Sequence, residues 1–383
     1  MVKPMNEMLY SPKSQTIPSL DGIRALSVLI VVLSHSELGA LIPGGLGVTI
    51  FFFLSGYLIT TLLLGENART GKIDILKFYA RRVFRLMPPL LVSLTIAYGL
   101  TYVGLLPGGI TLKGLAAQLL YLANYYGIFF DPGNTVPGGT GILWSLAVEE
   151  HFYIFYPFLL TLLLGFALRP RAIATVLGIL CLVILAWRVH LVQSTDFMSE
   201  RTYYASDTRI DSIIYGCILA VVSDPVRARL RAETMSFGQW AILAAALGTF
   251  LITLINRNIV FRETVRYSLQ GLALMPLFYF AVRFSDNWLF RNLNSRFAIT
   301  LGTYSYAIYL IHAVVINVIA ANFPTVATKS FILFPAALLI SIAYAAAIDR
   351  FVDRYFRQLR RKYQPELSTR LPRSILKRSE AAL

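Results

Sequence analysis

The stretch LWSLAVEEHFYIFYPFLLTLLL, residues 143–164, decides how the chain is read. Its 22 residues suffice, at 1.5 Å per residue, to cross about 30 Å of hydrocarbon as one helix. Within it stand two carboxylates and an imidazole in a row, Glu149, Glu150 and His151. Ionisable groups inside a bilayer are costly, so they face a cavity, pair with one another or do chemistry. The segment therefore reads as a membrane helix that lines something, and the question becomes how many such helices surround it.

Composition answers in the same direction. The set AVILMFWYC makes up 56% of the 383 residues and charged residues only 14%, whereas soluble domains carry about 25% charge. A water-facing surface cannot be built from so few charges, and disorder would need low hydrophobicity. Two cysteines, Cys181 and Cys217, both within apolar stretches, rule out a disulfide scaffold. A net charge of +15 would suggest nucleic-acid binding in a soluble chain. Here it fits cytoplasmic loops that retain Lys and Arg. The first 19 residues are polar and Pro-rich, and no cleavable signal peptide is expected.

Ten candidate spans follow from the apolar runs: Ile23–Leu41, Leu46–Leu64, Leu86–Leu106, Leu143–Leu164, Ala172–Val192, Ile210–Val222, Phe237–Ile255, Tyr267–Val282, Phe297–Ala320 and Ser330–Ile348. The sixth is short. Leu115–Phe130, framed by Pro-Gly sequences, reads as an interfacial or re-entrant piece. Ten crossings put both termini on one side. That side collects 27 of the 35 Lys and Arg, which orients both termini to the cytoplasm. The expected fold class is thus all-α, a polytopic membrane helix bundle of about ten transmembrane helices. It comprises a cytoplasmic segment 1–19, a membrane domain 20–350 and a basic cytoplasmic tail 351–383, the tail lying near anionic headgroups.

The ionisable residues in or beside the spans carry the functional reading. Arg24 stands at the cytoplasmic end of the first span beside Asp21, and His35 lies eleven residues later, about 16 Å along a helix and on nearly the same face. Arg24 alone reads as a snorkelling interface residue, and a lone His35 as a satisfied polar group at about even odds. Arg82 and Arg85 share a face of the third span at its cytoplasmic edge. They suit either positive-inside topology or forked donation to phosphate. Glu149 falls at a depth similar to His35, and adjacent Glu149 and Glu150 point about 100° apart, so one of them is expected to face any given cavity. Asp207, Arg209 and Asp211 suggest a self-paired cluster near the outer face. Ser145, Tyr309 and His312 add polar groups at depth, for which structural hydrogen bonding is at least as good a reading as chemistry. The pattern suggests a layered path with arginines at its cytoplasmic mouth and a histidine with a carboxylate deeper in. On these residues alone, an enzyme and a transporter or flippase using His and Glu as a proton relay stand near parity.

Five stretches tip the balance: Leu20-Asp21-Gly22-Ile23-Arg24-Ala25-Leu26 with His35, Arg82-Val83-Phe84-Arg85 with Pro88, Trp144-Ser145-Leu146 with Glu149-Glu150, Arg209-Ile210-Asp211 with Gly216, and Tyr304-Ser305-Tyr306 with Tyr309-Leu310-Ile311-His312. In this order, from about Ser19 to Phe356, they resemble acyltransferase family 3, integral membrane proteins that O-acylate sugars and related molecules. The resemblance implies a bacterial inner-membrane enzyme drawing acyl-CoA, expected to be acetyl-CoA, from the cytoplasm. The acceptor is a carbohydrate such as O-antigen, exopolysaccharide or glycolipid, with neither metal nor nucleic acid involved. It implies that His35 is the essential histidine and that Arg24, Arg82 and Arg85 are the essential arginines. Glu149, or else Glu150, is then expected to orient His35. His151 stands where many relatives have Gln.

Overall fold

The structure, a computed structural model, describes residues 17–38, 44–131, 133–194, 197–223, 225, 234–328 and 330–363. The last three residues of the first expected span, the basic loop Arg227–Arg231, most of the N-terminal segment and most of the C-terminal tail lie outside these. Among the described residues the chain is helical, with one isolated β-bridge, Gly108 to Pro137, and no strand.

Among the described residues seven helices are long and apolar enough to cross a membrane: α2 (Gly45–Thr70), α3 (Ile75–Tyr102), α6 (Leu143–Gly165, entered through a 3-10 turn at Thr140–Ile142), α7 (Pro170–Val192), α11 (Phe237–Ile255), α14 (Arg296–Asn322) and α16 (Ser330–Ile348, extended by a π-helical turn and then α17, Arg354–Arg361). The other three expected spans form helices that fall short of that standard, each for a visible reason. α1 (Leu20–Leu33) gives way to a π-helical turn at Ser34–Leu38. α10 (Asp211–Val222) has only 12 residues and follows the one-turn helices α8 (Ser199–Tyr204) and α9 (Ser206–Arg209). α13 (Val265–Arg283), preceded by α12 (Ile259–Glu263), is diluted by Arg266, Gln270 and Arg283. The 115–130 segment is split into α4 (Leu112–Leu119) and α5 (Ala123–Phe129), neither long enough to span. One-turn α15 (Pro324–Ala327) links α14 to α16.

The helices sort into an inner and an outer set. α2 is mostly buried, whereas α7, α11 and α16 present apolar side chains outward, among them Leu182, Val183, Leu251 and Leu339. Apolar surface on that scale belongs against lipid rather than water. The inner set, α1, α2, α10 and α14, packs through glycines. A Cβ at Gly216 would stand 1.9 Å from the Phe53 carbonyl oxygen, and one at Gly56 the same distance from that of Ile213. The backbones of α2 and α10 therefore touch, as small residues permit within a bilayer. A Cβ at Gly302 would likewise meet the Asp21 carbonyl at 1.9 Å, so α14 sits directly against the helix carrying Arg24.

The α2–α3 connection is built with equal economy. Gly71 caps α2 at φ 76°, and the Asp74 side chain caps α3 by accepting the Lys77 amide. Buried Glu66 accepts the Asp74 amide at 3.0 Å and Arg81 at 2.8 Å. Arg81 also donates to the Tyr363 carbonyl at 2.8 Å, tying the chain after α17 to the start of α3. This frame fixes the rotation of α3 and hence the direction of Arg82 and Arg85.

Candidate active site

A cavity of about 320 Å³ opens between α1, α2, α3, α6 and α14. Asp21 and Arg24 come to it from α1, Arg82 and Arg85 from α3, Ser145 and Glu149 from α6, and Tyr309 from α14. Seven of the residues singled out by sequence thus share one wall-to-wall space, within the size range of small-molecule sites. His35, Glu150, Arg209, Asp211 and His312 are not among its lining residues.

The three cavity arginines differ in how they are neutralised. Arg24 is paired to Asp21 at 2.6 Å, one helical turn away. Arg82 and Arg85 have no carboxylate in ion-pair contact among the described residues. Arg82 instead lies over the Tyr153 ring at 4.3 Å. The charges of Arg24, Arg82 and Arg360 all bear on Arg85. Clustered guanidinium groups around a cavity suit an anion with several oxygens, and here Asp21 and Glu149 are the carboxylates that share the lining with them.

Glu149 turns into this cavity. It accepts the Tyr153 hydroxyl at 2.8 Å and the Ser55 hydroxyl at 3.4 Å, and those two hydroxyls also touch each other. Its carboxylate therefore fixes the tyrosine on which Arg82 rests. It makes no hydrogen bond to His35, the residue that the family resemblance leads one to expect it to orient. Equal depth says nothing about rotation about the helix axis, and α6 turns Glu149 toward α2. Glu150 points elsewhere, and its Oε1 is buried without a hydrogen-bond partner.

At its deep end the cavity is lined by two hydroxyls. Ser145 Oγ and Tyr309 Oη are 2.6 Å apart, and both reach the Ile142 carbonyl. Behind them lies a pair of histidines. The Tyr309 ring packs on His312 at 5.5 Å, and His312 Nε2 stands 3.3 Å from His35 Nδ1. His312 is fully buried, whereas His35 is exposed. His35 sits in the π-helical turn that ends α1, a local irregularity that often marks functional positions. There the Val31 carbonyl accepts both the Ser34 hydroxyl (2.8 Å) and His35 Nδ1 (2.9 Å). The contacts thus run from the arginine cavity through Tyr309 and His312 to an exposed imidazole.

The Arg209 region departs from the expected self-paired cluster. Asp211 pairs with Arg188 at 2.7 Å, with both side chains fully buried. Asp207 pairs with Arg201 at 2.5 Å and accepts Trp187 Nε1 at 2.7 Å. Arg209 is left in an aromatic box, 3.8 Å above Tyr267 and 5.7 Å from Trp144, donating to Thr49. Arg188 is a position that the sequence reading misses, although it stands as a lone guanidinium within the apolar run Ala172–Val192. His151 bonds Ser206 at 2.6 Å, away from the cavity. Among the described residues no group of three or more His, Cys, Asp or Glu is placed to hold a metal ion.

The profile of acyltransferase family 3, described as an acyltransferase domain, matches residues 17–350. The chain belongs to that family. The acyltransferase domain thus covers every helix that lines the cavity and both histidines behind it. O-acetyltransferase OatA of Staphylococcus aureus (strain NCTC 8325 / PS 47) is 31% identical over 319 residues, 80% of this chain and 51% of the relative. A second Staphylococcus aureus protein (strain COL), named provisionally as an O-acetyltransferase, is 29% identical over 357 residues, 90% of this chain and 58% of the relative. The chain spans about half the length of the curated relatives it matches. No solved structure matches it.

Proposed function

We propose that this acyltransferase moves an acetyl group from acetyl-CoA to a carbohydrate hydroxyl across the bacterial cytoplasmic membrane, with both termini in the cytoplasm. The observation that carries the proposal is the cavity in which Arg24, Arg82 and Arg85 converge, three guanidinium groups against the two carboxylates of Asp21 and Glu149. A coenzyme A phosphate is the kind of anion such a receptor takes, and the forked guanidinium groups grip it through charge-assisted hydrogen bonds. The basic asymmetry of the loops supports an orientation with this end of the bundle at the cytoplasm, where acyl-CoA is made.

The donor's thioester arm then follows the cavity past Glu149 to Ser145 and Tyr309. Parting that hydroxyl pair admits the thioester carbonyl to the histidine pair, of which His35 is the base. The acceptor approaches His35 from the opposite, exposed side. His35 takes the proton of the acceptor hydroxyl as its oxygen attacks the thioester carbon. The carbon–sulfur bond breaks, the ester forms, and the proton passes to the departing thiolate. An imidazole is suited to both halves of this exchange near neutral pH. The relatives' printed names supply the acetyl group; the sugar class of the acceptor follows from the family resemblance.

The test is acetyl transfer from labelled acetyl-CoA in membranes containing the full chain, compared with His35→Ala. The expected outcome is loss of transfer by about a hundredfold or more, the range general base catalysis supplies. A His35→Ala protein with the wild-type rate would end the proposal. Mass spectrometry of envelope glycans with and without the protein identifies the acceptor.

A further inference from the structure

Two imidazoles in contact can be assigned hydrogens from what surrounds them. His312 Nδ1 lies 2.6 Å from the Tyr309 carbonyl oxygen. A carbonyl only accepts, so His312 carries its proton on Nδ1 and its Nε2 presents a lone pair. His35 Nδ1 lies 2.9 Å from the Val31 carbonyl, again an acceptor, so His35 also carries its proton on Nδ1. That single N–H is shared between the Val31 oxygen and the His312 Nε2 lone pair at 3.3 Å. The pattern closes only one way. A proton on His312 Nε2 would point at the His35 N–H, and a proton on His35 Nε2 would leave Nδ1 facing two acceptors. His35 Nε2 has no hydrogen-bond partner among the described residues, and His35 is the exposed member of the pair.

We infer that His312 is a positioning residue that locks His35 in its Nδ1–H tautomer, so that Nε2 is the nitrogen that takes the acceptor's proton. The inference rests on His35 being the base proposed above, and it assigns the orienting role to an imidazole rather than to Glu149. Tyr309 joins the two halves of the site. Its backbone carbonyl sets the tautomer of His312, while its hydroxyl stands with Ser145 at the deep end of the cavity.

The test pairs kinetics with ¹⁵N NMR of the full chain, labelled on its four histidines and solubilised in detergent. The His35 signals are assigned by their loss in His35→Ala. In the wild type, His35 is expected to show a protonated Nδ1 and an unprotonated Nε2. His312→Leu removes the acceptor, and His35 should then populate both tautomers, with kcat at least tenfold lower and KM for acetyl-CoA unchanged. His312→Gln keeps an acceptor at nearly the same position and should recover most of both the tautomer and kcat. A wild-type His35 protonated on Nε2 would overturn the inference. So would equal losses in the Leu and Gln variants with an unaltered tautomer, or a His312→Leu enzyme of wild-type kcat. These outcomes are separable from failure of the functional proposal. If His35→Ala is active, the base is wrong whatever the spectrum shows. If it is inactive and the tautomer does not depend on His312, only the positioning role falls.

Discussion

Arg85→Ala is the change that most directly probes the anion receptor. Arg85 lines the cavity, has no carboxylate partner among the described residues, and stands among the charges of Arg24, Arg82 and Arg360. Removing it deletes a donor pair and breaks no ion pair, while withdrawing positive charge that bears on Glu149 and Asp353; Arg85→Lys, which keeps that charge, separates the two effects. A charge-assisted hydrogen bond contributes about 1.5–3 kcal/mol. At about 1.4 kcal/mol per decade, that is about a ten- to hundredfold weaker hold on the donor. The phosphates lie far from the reacting carbon and are bound alike in ground and transition states. The loss should therefore appear in KM for acetyl-CoA while kcat changes little. Arg85→Lys should recover only part of the affinity, because an ammonium keeps the charge and loses the fork. The assay is initial-rate transfer of labelled acetyl groups in inside-out membrane vesicles, where the cytoplasmic face is accessible, with insertion checked by detergent size exclusion. A KM within twofold of wild type, with kcat unchanged, would refute the receptor and return the proton-relay transporter to contention.

Three further changes test the frame around the site. Arg188→Leu strands buried Asp211 and should destabilise the solubilised protein by about 3–5 kcal/mol, whereas the double replacement of both residues by leucine should recover most of it in thermal melts. Gly216→Leu drives a side chain into the Phe53 carbonyl and should abolish insertion or folding. Gly65→Ala, with nothing within 4 Å, serves as its neutral control. Asp74→Ala removes the cap of α3 and should cost about 1 kcal/mol. The Lys77 amide holds the Asp74 carboxyl below its usual range, so this contribution is present above the unfolded-state pKa and fades as pH falls through the lower folded value. Melts of wild type and Asp74→Ala should therefore converge in acid.

What could be read in advance, and what could not, divides along a physical line. Residue type and depth along a helix are properties of the sequence. Arg24, Arg82, Arg85 and Glu149 could therefore be placed at one end or another of their spans before any fold was known, and they do share a cavity. Rotation about the helix axis depends on packing between helices. Equal depth leaves contact between Glu149 and His35 open, and the glycine contacts that turn α2, α10, α1 and α14 against one another are invisible one residue at a time. Partner choice within the bilayer is the same problem. Asp211 lay four residues from Asp207 and two from Arg209, yet it found Arg188, 23 positions away, because α7 and α10 run side by side. The π-helical turn at Ser34–Leu38 is a further case. The α-helix from Arg24 runs regularly to Leu33 and changes only at Ser34, one residue before His35, a change of helix type that the residue spacing does not announce.

The position of the hydroxyl pair has a consequence for the chemistry. An acyltransferase working across a bilayer must bring a thioester from one side to a hydroxyl on the other without offering the thioester to water. On the proposed function the arginine cavity is the donor's, Ser145 and Tyr309 line its end, and His312 and then the more exposed His35 follow beyond them. Two hydroxyls that satisfy one another and a backbone carbonyl make a weak barrier. Neither is charged, and both can exchange partners with an entering carbonyl at little cost in hydrogen bonds. A charged pair at the same point would cost several kcal/mol to open. On the proposed function this pair is the barrier, and a carbonyl at the tip of a long arm opens it by replacing its hydrogen bonds. On this reasoning Tyr309→Phe should raise the hydrolysis of acetyl-CoA relative to transfer, because the remaining serine cannot close the passage alone. Release of free acetate measured alongside acetyl ester decides it, and an unchanged ratio of the two would show that water is excluded elsewhere.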